Sequence, residues 1–477
     1  MRGRCGAQWT RGRGCAVLVM LVGILTYPWL GQMARALPAT DEQTGLPVGS
    51  ELDEDAIDSP REVFHSEAMH GRKSYLSNLG NLAFNSPSIL GDAARKAHMS
   101  CGSCHVNGAS NPKLFIPGLS TRPGNFDTTN ALFNPKKDNG VLDPLAIPSL
   151  RGARLLAPYG HDGRSATLQD FVSNVIVNEF AGAPPSRQIL DAIVAYIEDI
   201  DFLPNPVLDK AGRLEAGATA SQQRGEQLFQ KPFPHDATLS CAGCHVPSSA
   251  FVDHHQHDVG SGGLYKTPTL LNDDFNAPYF HDGRFDTYGE VIDHFDRVFD
   301  LRLTAQDRSD LLDYLTAIGD GTRPTYHLTG TNVLSELNEF ASVLDTAIAA
   351  HDLAVITLTV QSVGAQLKDL ADHYPDPSGP VGADAARALV LARATITRLV
   401  ESLDRVESKA AAGQFEDAAG AYLDYRKLTA GLAPLALQTA EPWSLFNPTL
   451  HAAHLHSYPR PAMQRTSDGH DSEIVRR

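Results

Sequence analysis

The stretch that decides the fold is Cys101-Gly102-Ser103-Cys104-His105, and its pattern recurs as Cys241-Ala242-Gly243-Cys244-His245. In such a pentad the two thiols form thioether bonds to haem vinyl groups, and the adjacent histidine binds the iron. Zinc knuckles and thioredoxin-like dithiols are the competing interpretations, and the exported character of the chain argues against both. The sequence therefore predicts two covalently attached haem c groups, with His105 and His245 as iron ligands.

The N-terminus is typical of a secretory signal peptide. Residues 1–36 hold a basic region, an apolar core over 16–25 and the cleavage pattern Ala34-Arg35-Ala36. The apolar run is short for a membrane span, although an uncleaved anchor stays open. After cleavage the remaining cysteines all belong to the pentads, so we expect a periplasmic protein without a disulfide framework.

The charge of the chain limits its partners. The formal net charge is −16, and loss of the five arginines in residues 1–36 takes it to about −21. Such a balance argues against nucleic acid. It is compatible with a basic redox protein as partner, but charge alone does not decide this.

An internal repeat extends beyond the pentads. Ala157-Pro158-Tyr159-Gly160-His161-Asp162-Gly163-Arg164 recurs 120 residues later as Ala277-Pro278-Tyr279-Phe280-His281-Asp282-Gly283-Arg284. An apolar helix follows each copy, over 189–200 and 311–318. This repeat predicts two tandem cytochrome c-like helical domains, which we place at 37–205 and 206–325.

Beyond residue 325 the pattern changes to long amphipathic segments. Apolar residues recur at helical spacing and predict a four-helix bundle over 326–440, so the expected fold class is mainly α. Residues 441–477 are expected to form a flexible tail. His351 and His373 are expected to be solvated, and a metal role for the tail histidines 451, 454 and 456 stays open.

The paired motifs resemble those of the bacterial di-haem cytochrome c peroxidase family, which includes the MauG-like enzymes. The resemblance covers roughly residues 60–325 and leaves the bundle, whose partner is unknown, outside. It implies a first haem that meets hydrogen peroxide or oxygen. It also implies a second haem that passes electrons from a small cytochrome c or cupredoxin.

For the first haem, the resemblance implies an open distal face. The family's peroxidases place a removable histidine ligand after the pentad, but no histidine lies between His105 and His161. Glu179 stands near the family's catalytic glutamate, where it would move a proton as the O–O bond breaks. A solvated glutamate is the alternative interpretation. His161 replaces the tryptophan that relays electrons between haems in the family.

For the second haem, the usual sixth ligand is missing. Phe295 stands where the peroxidases have methionine and the MauG-like enzymes have tyrosine, and phenylalanine cannot bind iron. His294 is the best replacement, which would lower the reduction potential relative to methionine ligation. Five-coordination, or ligation by His254 or His255, stays open.

The two arginines of the repeat have a physical role available. Arg164 and Arg284 are expected to bind haem propionates, and His161 and His281 are expected to lie at the haem edges. The family also binds calcium between its modules. Ala146 replaces the asparagine that contributes to that site, so calcium stays open.

These features predict an exported di-haem peroxidase-type oxidoreductase, with Glu179, His161 and Arg164 as candidate catalytic residues. A non-catalytic electron-transfer cytochrome is one alternative. An oxygen-using MauG-like oxidase or dioxygenase is another. The lack of a second ligand for the first iron favours reactivity over electron carriage.

Overall fold

A computed structural model describes residues 40–52, 60–324, 328–376 and 382–450. The predicted signal peptide and the three tail histidines lie outside the described residues. The helices in chain order are α1 His65–His70, α2 Tyr75–Phe84, α3 Asp92–Lys96, α4 Cys101–Cys104, α5 Leu168–Asn174, α6 Arg187–Asp199, α7 Ala220–Gln230, α8 Cys241–Cys244, α9 Tyr288–Phe299, α10 Ala305–Gly319, α11 Gly330–Ala341, α12 Val343–Ala349, α13 Leu353–Asp372, α14 Ala383–Ala411, α15 Phe415–Ala430 and α16 Leu432–Ala440.

The strands are short and pair two by two. β1 Val63–Phe64 pairs antiparallel with β4 Ile200–Asp201, β2 Asn125–Phe126 with β3 Leu145–Ala146, and β5 Gln256–His257 with β6 Tyr265–Lys266. The mainly α fold class is confirmed. In the ranges that the structure describes, no helix combines the length and apolarity that crossing a membrane requires.

Local sequence sets where several helices begin. At Thr219 and Thr287 the hydroxyl accepts a hydrogen bond from the backbone N–H of the third helical residue, whose side chain bonds back to the cap. Such a capping box satisfies N–H groups that have no partner within the helix. The starts of α7 and α9 therefore follow from a few neighbouring residues.

In each haem module two helices cross at a glycine. A Cβ added to Gly80 of α2 would overlap the carbonyl oxygen of Ala192 on α6, and one added to Gly225 of α7 would overlap that of Asp310 on α10. Only a residue without a side chain allows backbones to approach so closely. The pair α2 and α6 in the first module and the pair α7 and α10 in the second therefore pack in the same way.

An aromatic pair lies beside each crossing. The ring centroids of Phe84 and Tyr196 are 5.1 Å apart, and those of Phe229 and Tyr314 are 5.2 Å apart. Phe84 and Phe229 each lie 6.3 Å from the histidine of their own pentad. The repeat seen in the sequence is thus also a repeat in the packing around the pentads.

The C-terminal helices form four helical segments that pack side by side. The first helical segment of the bundle consists of α11 and α12, which meet at Ser342. The second and third segments are α13 and α14, and the fourth consists of α15 and α16. Their apolar faces share one buried cluster, to which α2 and α6 also contribute Leu79, Leu82 and Ala192. The bundle therefore packs directly on the first haem module. A salt bridge of 2.7 Å between Lys73 and Glu339 crosses the same boundary.

The bundle histidines and the start of the predicted tail make aromatic contacts, while His351 is exposed as expected. His351 stacks on Phe415 and His373 stacks on Phe446, with ring centroids 4.0 and 4.6 Å apart. The backbone N–H of Leu445 donates to His373 O over 2.8 Å. Within the described part of the predicted tail, the chain is therefore held against the bundle because its aromatic residues find apolar partners there.

Candidate haem sites and the module boundary

The first pentad histidine is oriented by backbone carbonyls. His105 Nδ1 lies 3.0 Å from Pro148 O and 3.3 Å from Ala109 O. A histidine that donates Nδ1–H to a carbonyl leaves Nε2 unprotonated and available to a metal. Burial lowers the pKa of His105, which favours the neutral imidazole that iron binding requires.

The second pentad histidine has the same arrangement. His245 Nδ1 lies 3.2 Å from Phe251 O, and the carbonyl of Pro268, the repeat equivalent of Pro148, also accepts a hydrogen bond from it. Burial lowers the pKa of His245 to about 4. Both histidines are therefore prepared as neutral ligands before any metal is bound.

The donor set fits haem c. In each pentad the two cysteines lie at the ends of a one-turn helix, and all four are free thiols. In the described ranges, Cys244 of the second pentad also lies close to Asp253 and His257, and the possible ligand atoms of these three residues are within 4.8 Å of one another. Because haem attachment would consume the Cys244 thiol, this group offers no separate zinc site.

Glu179 lies at the end of a π-helical turn, Val175–Glu179, which directly follows α5. Its side chain is 11% exposed, and its Oε1 accepts a hydrogen bond from Arg164 at 2.9 Å. Burial raises the pKa of the Glu179 carboxyl, and the Arg164 guanidinium opposes this shift. A buried acid whose pKa moves toward neutral pH is suited to proton transfer, and π-helical turns are frequent at functional sites.

Arg164 and Arg284 are held by acidic residues of their own turns. Arg164 contacts Asp162 at 3.1 Å in addition to Glu179, and Arg284 contacts Asp282 at 2.8 Å. These contacts were not anticipated from the sequence. Binding of haem propionates by the two arginines stays a prediction.

The two repeat histidines lie at the boundary between the modules. His161 Nε2 lies 2.8 Å from Ala146 O, and burial lowers the pKa of His161 to about 4. The ring of His281 stacks on Tyr265, with centroids 3.7 Å apart and planes inclined by 14°. His281 and Tyr265 also line a cleft of about 580 Å³ between the modules.

The modules exchange backbone hydrogen bonds at this boundary. Ala146 N–H donates to His281 O, and Lys266 N–H donates to His161 O, each over 2.8 Å. The two donors are 120 residues apart, as are the two acceptors, so the contact is reciprocal. Sequence reasoning missed Lys266 because nothing in its local motif marks it; only its repeat equivalence to Ala146 was available.

His294 is enclosed by aromatic rings. It is 7% exposed, and its ring centroid lies 4.8 Å from that of Phe280, 5.3 Å from Phe285 and 5.6 Å from Phe295. Its Nε2 lies 2.7 Å from Val259 O. Ligation of iron by His294 stays a prediction, and ligation through Nε2 would replace the contact to Val259.

The alternative ligands His254 and His255 have other contacts. His254 Nδ1 lies 2.7 Å from Ala157 O of the first module, and His255 Nδ1 is close to Asp253 O. Both histidines are exposed. His254 therefore contributes to the module boundary.

Residues 220–317, which contain the second pentad, match the family model described as di-haem cytochrome c peroxidase. This module is therefore similar to the di-haem cytochrome c peroxidase family. The bundle lies outside the match. The family's c-type cytochrome character agrees with two haem c groups as cofactors.

Two relatives extend the comparison. The chain is 24% identical over 309 residues to hydrazine synthase subunit gamma of Kuenenia stuttgartiensis, covering 52% of this chain and 78% of that protein. It is 32% identical over 79 residues to cytochrome-c peroxidase IdrP1 of Pseudomonas sp. (strain SCT), and the match covers 14% of this chain and 20% of that protein.

Two solved structures are partly similar. A K. stuttgartiensis hydrazine synthase structure aligns with a TM-score of 0.38 at 21% identity, covering 64% of this chain and 100% of that chain. A MauG-like protein associated with microbial copper homeostasis aligns with a TM-score of 0.37 at 20% identity, and the alignment covers 54% of this chain and 91% of that chain.

Proposed function

We propose that the chain is a periplasmic di-haem c-type cytochrome that reduces hydrogen peroxide at its first haem, with electrons entering through the second. The electron donor would be a small cytochrome c or cupredoxin. The observation that carries the proposal is the ion pair between Arg164 and the largely buried Glu179, which lies in the module whose sequence offers no histidine ligand soon after His105. The family match of the second module and the relative named cytochrome-c peroxidase support the same reaction class.

Peroxide reduction needs a group that first accepts a proton as a base and then donates it as an acid. Reduction of one hydrogen peroxide to two waters consumes two electrons and two protons, and bound haem supplies the redox chemistry of O–O cleavage. The Glu179 carboxylate would accept the proton of one peroxide oxygen and deliver it to the departing oxygen. Arg164 keeps this carboxylate ionised and oriented, and Asp162 in turn positions Arg164.

The test combines spectroscopy with turnover. The purified di-haem protein should show one high-spin ferric haem by low-temperature EPR, and it should oxidise reduced cytochrome c when peroxide is added. Glu179→Gln should lower kcat/KM for peroxide by about 10²-fold or more, as loss of a general acid–base group typically does. Glu198→Gln, which removes an exposed glutamate on α6, is the matched control and should retain activity.

Two results would overturn the proposal. If both haems are low-spin and neither responds to peroxide, even after partial reduction, the chain is an electron carrier. If the reduced protein reacts with oxygen and not with peroxide, it is an oxidase or dioxygenase. Undiminished turnover of Glu179→Gln would refute the role of this carboxylate alone.

A further inference from the structure

Lys266 belongs to the second module but reaches into the first. Its ammonium Nζ donates to Leu156 O over 2.7 Å, while its backbone N–H donates to His161 O. Both acceptors lie in or next to the repeated turn of the first module. The side chain therefore crosses the boundary, and the residue is held there by one side-chain and one backbone hydrogen bond.

The Lys266 ammonium carries a charge that the described residues do not balance. Burial lowers the pKa of Lys266 to about 8, so the group is still largely protonated at neutral pH, and no acidic side chain in the described ranges forms an ion pair with it. The neighbouring ionisable groups His161 and Arg164 are neutral or cationic. Leu156 O satisfies one of three N–H donors. A largely buried charge is costly unless an anion joins it.

The surroundings identify the chemical class of that anion. Tyr159, from the same turn, packs against the apolar cluster that Cys101 and Cys104 also border, so this turn belongs to the same module core as the first pentad. Haem carries two propionate carboxylates, and a carboxylate is the partner that an ammonium requires. We propose that Lys266 binds a propionate of the haem attached to the first pentad, across the module boundary.

The arrangement is confined to one haem. The repeat equivalent of Lys266 is Ala146, which has no charged group, so this position offers the second haem no matching cation. A positive charge beside a haem favours the reduced iron, which has one positive charge fewer. Lys266 therefore raises the reduction potential of the first haem and links it to the second module.

This inference rests on the haem attachment of the proposed function and not on its peroxide chemistry. The haem content per chain is measured first. Fewer than two haems per chain would contradict the proposed function itself. Two haems with normal peroxide turnover but no role for Lys266 would contradict only this inference.

The decisive measurement is a spectroelectrochemical titration of both haems. Lys266→Met should shift the potential of the first haem downward and that of the second much less. Lys266→Arg should restore most of the shift, which a merely structural effect of the lysine stem would not explain. Lys210→Met removes an exposed lysine of the same module and should leave both potentials unchanged. Equal potentials in Lys266→Met and the unaltered protein would overturn the assignment.

If Lys266→Met does not fold, Lys266→Gln provides the second variant, because glutamine removes the charge but keeps an N–H donor for Leu156 O. The potential of the first haem in Lys266→Gln should also lie below that of the unaltered protein. An unshifted first-haem potential in this variant would overturn the assignment.

Discussion

Two candidate catalytic residues are in contact in the structure. Glu179 was expected to be a distal acid, and Arg164 was expected to be a catalytic residue or a propionate ligand. The two side chains form an ion pair of 2.9 Å. Three effects set the pKa of Glu179: burial raises it, Arg164 lowers it and Asp162 raises it slightly. The carboxylate must be ionised to accept a proton, so activity should fall as pH drops through this pKa.

We therefore predict that Arg164→Met shifts the acidic limb of the kcat/KM profile for peroxide to higher pH. Loss of the guanidinium removes the interaction that lowers the pKa of Glu179, so the carboxylate becomes protonated at a higher pH. Arg187→Met, at a guanidinium that is 93% exposed, is the control and should leave the profile in place. A profile that moves to lower pH in Arg164→Met would contradict the assignment.

The second prediction concerns His294. If this histidine binds the second iron, His294→Ala should convert the low-spin EPR signal of that haem to a high-spin signal. His255→Ala removes an exposed histidine and should leave the signal unchanged. A low-spin signal that survives in His294→Ala, and disappears in His255→Ala, would move the ligand role to the other histidine.

At the scale of elements, the two modules use helices of equal length with different geometry. In the second module Tyr288–Phe299 is a continuous α-helix, whereas its repeat equivalent in the first is α5 followed by the π-turn Val175–Glu179. Thr167 and Thr287 are 120 residues apart, as the repeat requires, and each caps one of the two helices. The π-turn was not predictable, because no single residue type specifies it.

The helix crossing at Gly225 gives a third prediction. Gly225→Ala should lower the free energy of unfolding by about 1–3 kcal/mol, because the added methyl group overlaps the backbone of α10. Gly420→Ala on α15 meets no atom within 4 Å and should raise stability by roughly 0.5–1 kcal/mol through reduced backbone entropy of the unfolded chain. Urea unfolding of both variants checks this, and equal destabilisation would contradict the packing argument.

At the scale of the whole molecule, the bundle packs on the first haem module through matching apolar surfaces. Most of α2 is buried, because one side packs on α6 and the other contacts α11, α12 and α13. Its equivalent α7 carries Gln222, Gln223 and Arg224, and only Gly225 and Phe229 are buried. The composition of these two equivalent helices therefore accounts for bundle packing on the first module.

The fourth prediction tests the packing of the bundle on the first module. Leu79 on α2 is fully buried within the bundle cluster, so Leu79→Ala should cost about 2–5 kcal/mol of stability by leaving a cavity. Leu423 on α15 is 49% exposed, and Leu423→Ala should change stability by no more than about 0.5 kcal/mol. Denaturant unfolding of the di-haem protein provides the comparison. A small effect at Leu79 would mean that the bundle is only loosely attached.

The sequence by itself determined the features that short motifs encode. The pentads predict haem attachment and the proximal ligands through the chemistry of two thiols and one imidazole, and the 120-residue repeat predicts the duplication. Helical spacing predicted the bundle segments, because an amphipathic face must be buried against a partner. Each of these signals depends on residues that are close together in the sequence or at a fixed spacing, so it can be recognised without the tertiary structure.

Only the tertiary structure decided which distant groups meet. It joined Arg164 to Glu179, packed the bundle on α2 and carried Lys266 across the module boundary to Leu156. Ion pairs, burial and uncompensated charge depend on the distance between residues that are remote in sequence, and no local pattern records that distance. The pentads thus identify the haems, whereas the fold makes the two haem environments different.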